Sequence, residues 1–389
     1  MLWFRGLVSG CGQDPSALEA ALDAAGNNRA ELEKVLAYYS QNEEDSLKLR
    51  AARFLIENMP GHYTLRGKTI DEFRNRLDKD TAEYFARKTM GILLSEVVGI
   101  EPCPEREYDV RHITADYLIR HINSSMALYR RFPWYKNIPV EFFFRHVLPY
   151  RIGHERLDGW RDSLQPVLQE ECIISSDVRQ DINEARKYLN LKYDFGLTFS
   201  TSEFNEFYGQ SQNECQYLYL RYLMWYRGLG LLYSMDYFPC YANRNGLHYW
   251  MANIDTQKTG LRVEKNLGNG RAAKVFRKTF ERNPTVSPRK SEYVPPLFLD
   301  PFVKDVTTAY LKTKDIVVER DFETKHNVRF AYLCVFNNLR WIPTAIGRWN
   351  GNKVEFAGMG TGIVYLPVVF SGEVMNAFNY PFVLNASGD

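Results

Sequence analysis

Apolar residues recur at helical spacing through the first part of the chain. Asp14-Pro15 reads as an N-cap with proline at the first helical position, and Gly26 stops that helix. Asn27-Asn28 then caps a second helix, whose apolar face is Leu32, Val35, Leu36 and Tyr39, spaced i, i+3, i+4, i+7. A third helix carries Leu47, Leu49, Ala52, Leu55 and Ile56 and ends near Met59-Pro60. Two more helical stretches are expected over 81–98 and 112–131, with a proline-bearing joint at Glu101 to Glu105 between them. Val140 to Gly159 continues the helical pattern, broken at Pro149-Tyr150-Arg151, and 170–187 reads as a polar surface excursion.

The period changes near residue 265. From there the pattern alternates with period two and is rich in aromatic residues, over Val328–Phe336, Leu339–Trp349, Val354–Phe356, Gly362–Phe370 and Phe382–Leu384. Asn350-Gly351-Asn352 is a hairpin turn. The fold class is therefore α+β. A helical N-terminal region spans 12–105, a core spans 106–265, and a β-rich, β-sandwich-like module spans 266–389.

Length agrees with this division, since 389 residues suit two or three domains. Lys+Arg 49 against Asp+Glu 47 leaves a net charge of +2, which offers no electrostatic case for a nucleic-acid partner. The 25 Tyr and 24 Phe favour extensive β surface or a binding groove. No run of 18 apolar residues is present to span a bilayer as a helix. Leu7-Val8-Ser9-Gly10-Cys11 resembles a bacterial lipobox, although only ten residues precede Cys11 and Arg5 interrupts them. Residues 1–11 then read as a truncated lipoprotein signal. They carry the expectation of a lipid anchor at Cys11 and a place in the cell envelope, periplasmic or at the surface.

The candidate chemistry lies in 209–265. Cys215 opens an aromatic, apolar run of helix length that Gly228 stops. A thiol in the first turn of such a helix meets the positive end of the dipole, which favours its thiolate, and the backbone N–H groups there can face an oxyanion. His248 falls in an expected strand, Leu247–Asn253, followed by a turn and a second short strand, Thr259–Glu264. Opposing His248 and Glu264 in an antiparallel pair requires a hairpin centred on Thr256. Glu264 would then hold one imidazole nitrogen while the other faces Cys215, the arrangement of nucleophile, base and orienter. Asp255 or Asn253 could orient His248 in its place.

With Cys215, His248 33 residues later and an acid 16 beyond that, the chain resembles the transglutaminase-like superfamily of papain-type folds. More specifically, it resembles bacterial transglutaminase-domain proteins. The similar stretches are Ile113–Ile119, Val147–Arg151, Tyr241–Trp250, Ala273–Phe280, Lys304–Thr307 and Gly362–Pro367. The resemblance implies a papain/transglutaminase-like core over 106–265. Cys215 would be the nucleophile, His248 the general base and Glu264 the orienter of a thiol-dependent acyl hydrolase or transferase. Its substrate would be a peptide, glycopeptide or glycan, with no metal or organic cofactor.

Asn213-Glu214 stands where such proteins usually carry Gly before the Cys, and Glu264 stands where they carry Asp. Both departures motivate a second expectation, a catalytically inactive fold that binds peptide or glycan in the envelope. Among the other candidates, Cys240 reads as structural, and Cys103, Cys172 and Cys334 lack metal-ligand spacing. Tyr241 and Trp250 either line a groove or pack in a core. Gly268-Asn-Gly270 is too short a signal for a phosphate loop.

Overall fold

The computed structural model describes residues 15–68, 71, 105–154, 157, 159, 161–162, 223–224, 226–254, 261–262, 270–290, 292–321 and 328–388. The chain divides into two compact units, 1–213 with 224–231, and 214–223 with 232–389. The helix expected over 81–98 and the excursion over 170–187 lie outside the described residues, as does Cys11.

Among its described residues, the first unit is mainly helical. Its elements are α1 (Pro15–Ala25), α2 (Arg29–Ser40), α3 (Ser46–Asn58), α4 (Ala115–Arg131) and α5 (Val140–His146), with a two-stranded antiparallel ribbon of β1 (Tyr63–Arg66) and β2 (Glu105–Tyr108). Gly26 ends α1 at a φ of 55°, a backbone conformation that glycine adopts without strain. Leu32, Val35 and Tyr39 are buried as their spacing requires. Ala52, Leu55 and Ile56 of α3, and Leu118, Ile122 and Met126 of α4, are buried too.

Asn28 departs from its expected role. Its side chain makes no cap bond to α2. It donates instead to the carbonyls of Val110 and Ile113, at 3.2 and 3.0 Å. A residue one turn on repeats the connection, because Glu31 accepts the backbone N–H of Ala115 at 2.8 Å and so satisfies an orphan donor of α4. Thr114, the N-cap of α4, takes the N–H of Tyr117. Asn28, just before α2, and Glu31 within it thus tie the first helices to a segment more than eighty residues away.

Among the described residues of this unit, several buried charges are held by hydrogen bonds. Arg151 donates to both oxygens of Asp109, at 2.6 and 2.7 Å, and both side chains are almost wholly excluded from water. Arg227 donates to the carbonyls of His146 and Arg151, and Arg161 to those of Arg227 and Val147. The break expected at Pro149-Tyr150-Arg151 is therefore where carbonyls and guanidinium groups meet. His121 sits beside them, with Nε2 2.6 Å from the Leu148 carbonyl. Burial, then the charge of Arg161, drives its pKa down to about 3. The folded state holds His121 neutral and donating, while the unfolded chain takes up a proton near pH 6.5. Stability is therefore full above pH 6.5 and falls as pH drops towards 3. Between pH 7 and pH 5 the parent should lose about 2 kcal/mol through this group, and His121→Gln should flatten that part of the pH profile in urea titrations.

Among its described residues, the second unit holds two antiparallel sheets. The first has the order β5-β4-β3-β6-β7, with β3 (Tyr233–Phe238), β4 (His248–Ile254), β5 (Leu261–Arg262), β6 (Phe276–Lys278) and β7 (Val303–Asp305). Strands from both sides of residue 265 therefore share one sheet. The second sheet comprises β8 (Thr313–Glu319), β9 (Phe330–Asn337), β10 (Arg340–Asn350), β11 (Lys353–Gly360), β12 (Ile363–Ser371), β13 (Val374–Ala377) and β14 (Phe382–Leu384). The hairpin turn at Asn350–Asn352 is present, with Gly351 at a φ of 63°.

The β-sandwich expected here is instead one seven-stranded curled sheet. Val318, Leu333, Val335, Ala345, Phe356, Met359, Tyr365 and Leu384, drawn from strands β8 to β12 and β14, meet in a single cluster on its inner face. Tyr332, Cys334, Val368 and Phe370 form the core of the other face, covered by Val286, Tyr293, Val294 and Phe298. Alternation in the sequence indicates that at least one face of each strand is apolar. It does not specify whether a second sheet or the curl of the same sheet covers it.

The two sheets of this unit join at close backbone contacts. Gly360 donates to the Ala273 carbonyl at 3.1 Å, and a Cβ on Gly360 would run into the Ala272 carbonyl oxygen. Lys274, nearly buried, donates to Asp305 and to the Ala357 carbonyl, at 2.7 and 2.6 Å.

Candidate functional site

Of the three candidate residues, His248 is within the described structure, while Cys215 and Glu264 lie outside the described residues. His248 opens β4 opposite Phe238 of β3. Side chains alternate across a strand, so Ser234, Asp236 and Phe238 share a face with His248, Trp250 and Ala252. Arg277 of β6 lies opposite Asp236 on that same face.

This row of residues is tied together. Arg277 donates to both oxygens of Asp236, at 2.7 and 2.8 Å. The Tyr310 hydroxyl donates to Asp236 at 2.5 Å, and the Trp250 indole N–H donates to the Tyr310 oxygen at 3.2 Å. The Trp250 ring in turn stacks on His248 at 5.4 Å and an interplanar angle of 24°. Phe238, Tyr241, Trp250 and Val275 form the apolar cluster beneath, with Tyr310 and Leu311 packed against it. Tyr241 and Trp250 are therefore core residues that also border the imidazole. A ring resting on this tied cluster is fixed by packing.

The loop before His248 is held from the curled sheet. Asn337, at the end of β9, donates to the carbonyls of Tyr241 and Arg244, each at 2.8 Å, and accepts the N–H of Gly246 at 3.2 Å. Gly246 has a φ of 95°, which a residue with a Cβ rarely adopts. The Arg244 guanidinium lies 3.8 Å over the Tyr241 ring. Burial, then the charge of Arg244, pulls the His248 pKa below the ordinary imidazole value. The imidazole is thus neutral at pH 7 and able to accept a proton. Among the described residues, none hydrogen-bonds to either ring nitrogen of His248.

The β4–β5 hairpin runs in a different register from one centred on Thr256. Its pairs are Asn253 with Arg262 and Ile254 with Leu261, which centre it between Gln257 and Lys258. Asn253 faces away from His248, so it does not orient the ring. Asp255 is outside the described residues.

Cys240 is buried in the inner cluster of the curled sheet, and burial pushes its thiol up to about 12. Cys334 is buried as well, and its thiol is raised further, by burial first and then by Cys240. Both are poor nucleophiles at neutral pH. Among the described residues, no group of three His, Cys, Asp or Glu side chains could hold a metal ion, and no helix is long and apolar enough to cross a membrane.

No family model, no curated protein and no solved structure matches this chain. The stretches that carry the transglutaminase-like resemblance have local structural work of their own. Thr114 caps α4, Arg151 pairs with Asp109, and Lys274 pairs with Asp305. Thr307 takes a hydrogen bond from Val275, and Tyr365 donates to the Gly360 carbonyl.

Sequence reasoning missed Asp236, Arg277, Tyr310 and Asn337. One signal was present: Asp236 is the single charge in the apolar stretch 229–238, and a carboxylate there needs a partner. Nothing in the linear order identified Arg277 as that partner.

Proposed function

We propose that this chain is a thiol-dependent acyl hydrolase or transferase with a papain-like, transglutaminase-like core. Cys215 attacks the carbonyl carbon of an amide in a peptide or glycopeptide, and its proton passes to His248. The bond to nitrogen breaks as His248 returns that proton to the leaving amine. Water or a second amine then releases the acyl group from sulfur. Glu264 orients the imidazole, and the backbone N–H groups after Cys215 stabilise the oxyanion. A lipid anchor at Cys11 would keep the enzyme in the cell envelope.

One observation carries this reading. His248 is a half-buried imidazole on a tied aromatic base, kept neutral by burial and Arg244, with neither ring nitrogen engaged among the described residues. A non-catalytic peptide- or glycan-binding protein is the second reading. Asn213-Glu214 before the thiol, in place of the usual Gly, and Glu264 in place of Asp favour it.

Labelling with iodoacetamide, mapped by mass spectrometry, separates the two. In the enzyme, Cys215 labels fastest of the cysteines, and His248→Ala slows it at least tenfold. Because His248 titrates below 6.5, the fast labelling persists as pH falls through that value and declines only beneath it. Equal, slow labelling of Cys215 in the parent and in His248→Ala would leave the binding protein as the better account.

A further inference from the structure

The turn between β9 and β10 is unusual in its sequence. Asn337 pairs with Arg340, so Asn338 and Leu339 form a two-residue hairpin loop. Both have positive φ, 48° and 60°. This is the geometry of a type I′ turn, where Asn-Gly or Asp-Gly is the usual choice. Asn tolerates it, whereas a leucine there is strained against its own carbonyl. Nor does the leucine gain from packing, since it is 89% exposed. Strain and exposure together are unfavourable to folding, and such outliers point to function.

The surroundings define the chemistry. Phe336, 50% exposed, packs edge-on against Trp341 across the hairpin, with ring centroids 5.4 Å apart. Arg340 follows Leu339 directly and is exposed. Asn338 donates its backbone N–H to Asn245 at 3.0 Å, which places the exposed Arg244 loop beside the same tip. Segments 239–250 and 336–350 contain arginine but no Asp or Glu.

We propose that the β9–β10 tip docks on an anionic lipid surface, with Leu339 and Phe336 entering the interfacial zone and Arg340 and Arg244 facing the headgroups. One leucine and half a phenylalanine fall far short of the area per partner that a stable protein interface needs. A bilayer accepts a projecting apolar side chain without a matching pocket. Trp341 lies at the boundary, where indole rings favour the headgroup region. The cationic surroundings complement anionic lipid. This inference does not depend on the reaction assigned to Cys215.

The test is flotation of the intact chain with phosphatidylcholine vesicles, with and without phosphatidylglycerol. The parent should float with the phosphatidylglycerol vesicles and release as salt is added. Leu339→Gly should weaken partitioning about tenfold, from the lost apolar transfer. Arg340→Gln should weaken it about fivefold, on anionic vesicles only. Leu339→Gly also relieves the turn, so its thermal midpoint should rise by about 2–4 °C, which separates lost docking from lost folding. Equal partitioning of the parent and Leu339→Gly would overturn the proposal. So would failure of the parent to bind anionic vesicles at low salt, or dimerisation through Leu339 without lipid.

Discussion

Asp236→Ala should lower the unfolding free energy by about 3–5 kcal/mol, measured by urea denaturation followed by circular dichroism. The carboxylate is fully buried and accepts three hydrogen bonds, two from Arg277 and one from Tyr310. Removing it leaves a guanidinium in a low-dielectric site without its counter-charge. The loss should be smaller for Tyr310→Phe, about 2 kcal/mol, because the ion pair survives and only the hydrogen bonds to Asp236 and from Trp250 are gone. Replacing the pair together, as Asp236→Leu with Arg277→Met, should recover most of the stability, since no buried charge then remains unpaired. A cost for Asp236→Ala no larger than that for Tyr310→Phe would show that water reaches Arg277 and that the network is not the support described. Because Trp250 rests on this network and His248 on Trp250, Asp236→Ala should also move the His248 ring signals in NMR spectra, whereas a surface change such as Lys353→Gln should leave them in place.

The second large effect belongs to the helical unit. Asp109→Ala should cost about 3–5 kcal/mol by the same physics. Arg151 is held by both carboxylate oxygens and by Thr64 at 2.8 Å, and Tyr150 donates to Asp109 at 3.1 Å. These bonds join the ribbon strand β1, the residues after β2 and the turn after α5, so their loss should loosen all three. Hydrogen exchange offers a local readout: amides of β1 and β2 should lose protection in Asp109→Ala before those of α2. Arg151→Lys should not rescue the site, because an ammonium cannot reproduce the two-point contact. If Arg151→Lys matched the parent, charge alone would suffice and the geometry would not be what matters.

Much of the architecture was legible in short stretches of sequence. Pro15 and Gly26 bound α1, and the spacing of Leu32, Val35 and Tyr39 found the buried face of α2. Period-two alternation located β9, β10, β12 and β14 within a residue or two. The turn at Asn338-Leu339 was not legible, because leucine carries no turn signal and its conformation is imposed by the paired strands. The role of Asn28 was misread for a related reason. Local sequence marks it as a cap, but the carbonyls of Val110 and Ile113 come within reach only once the chain has folded back.

The sequence by itself determined α1 to α4 and the strands β4, β9, β10, β12 and β14 to within a few residues, because their patterns depend on neighbours within a turn or two. It also singled out His248, and it left Asp236 visible as a charge out of place in an apolar stretch. Tertiary structure alone decided that the C-terminal strands curl into one sheet, that Arg277 and Tyr310 answer Asp236, and that Asn337 holds the loop leading to His248. Each of these is a choice of partner across tens of residues. Such a choice follows from register and burial in three dimensions, and no local spacing encodes it.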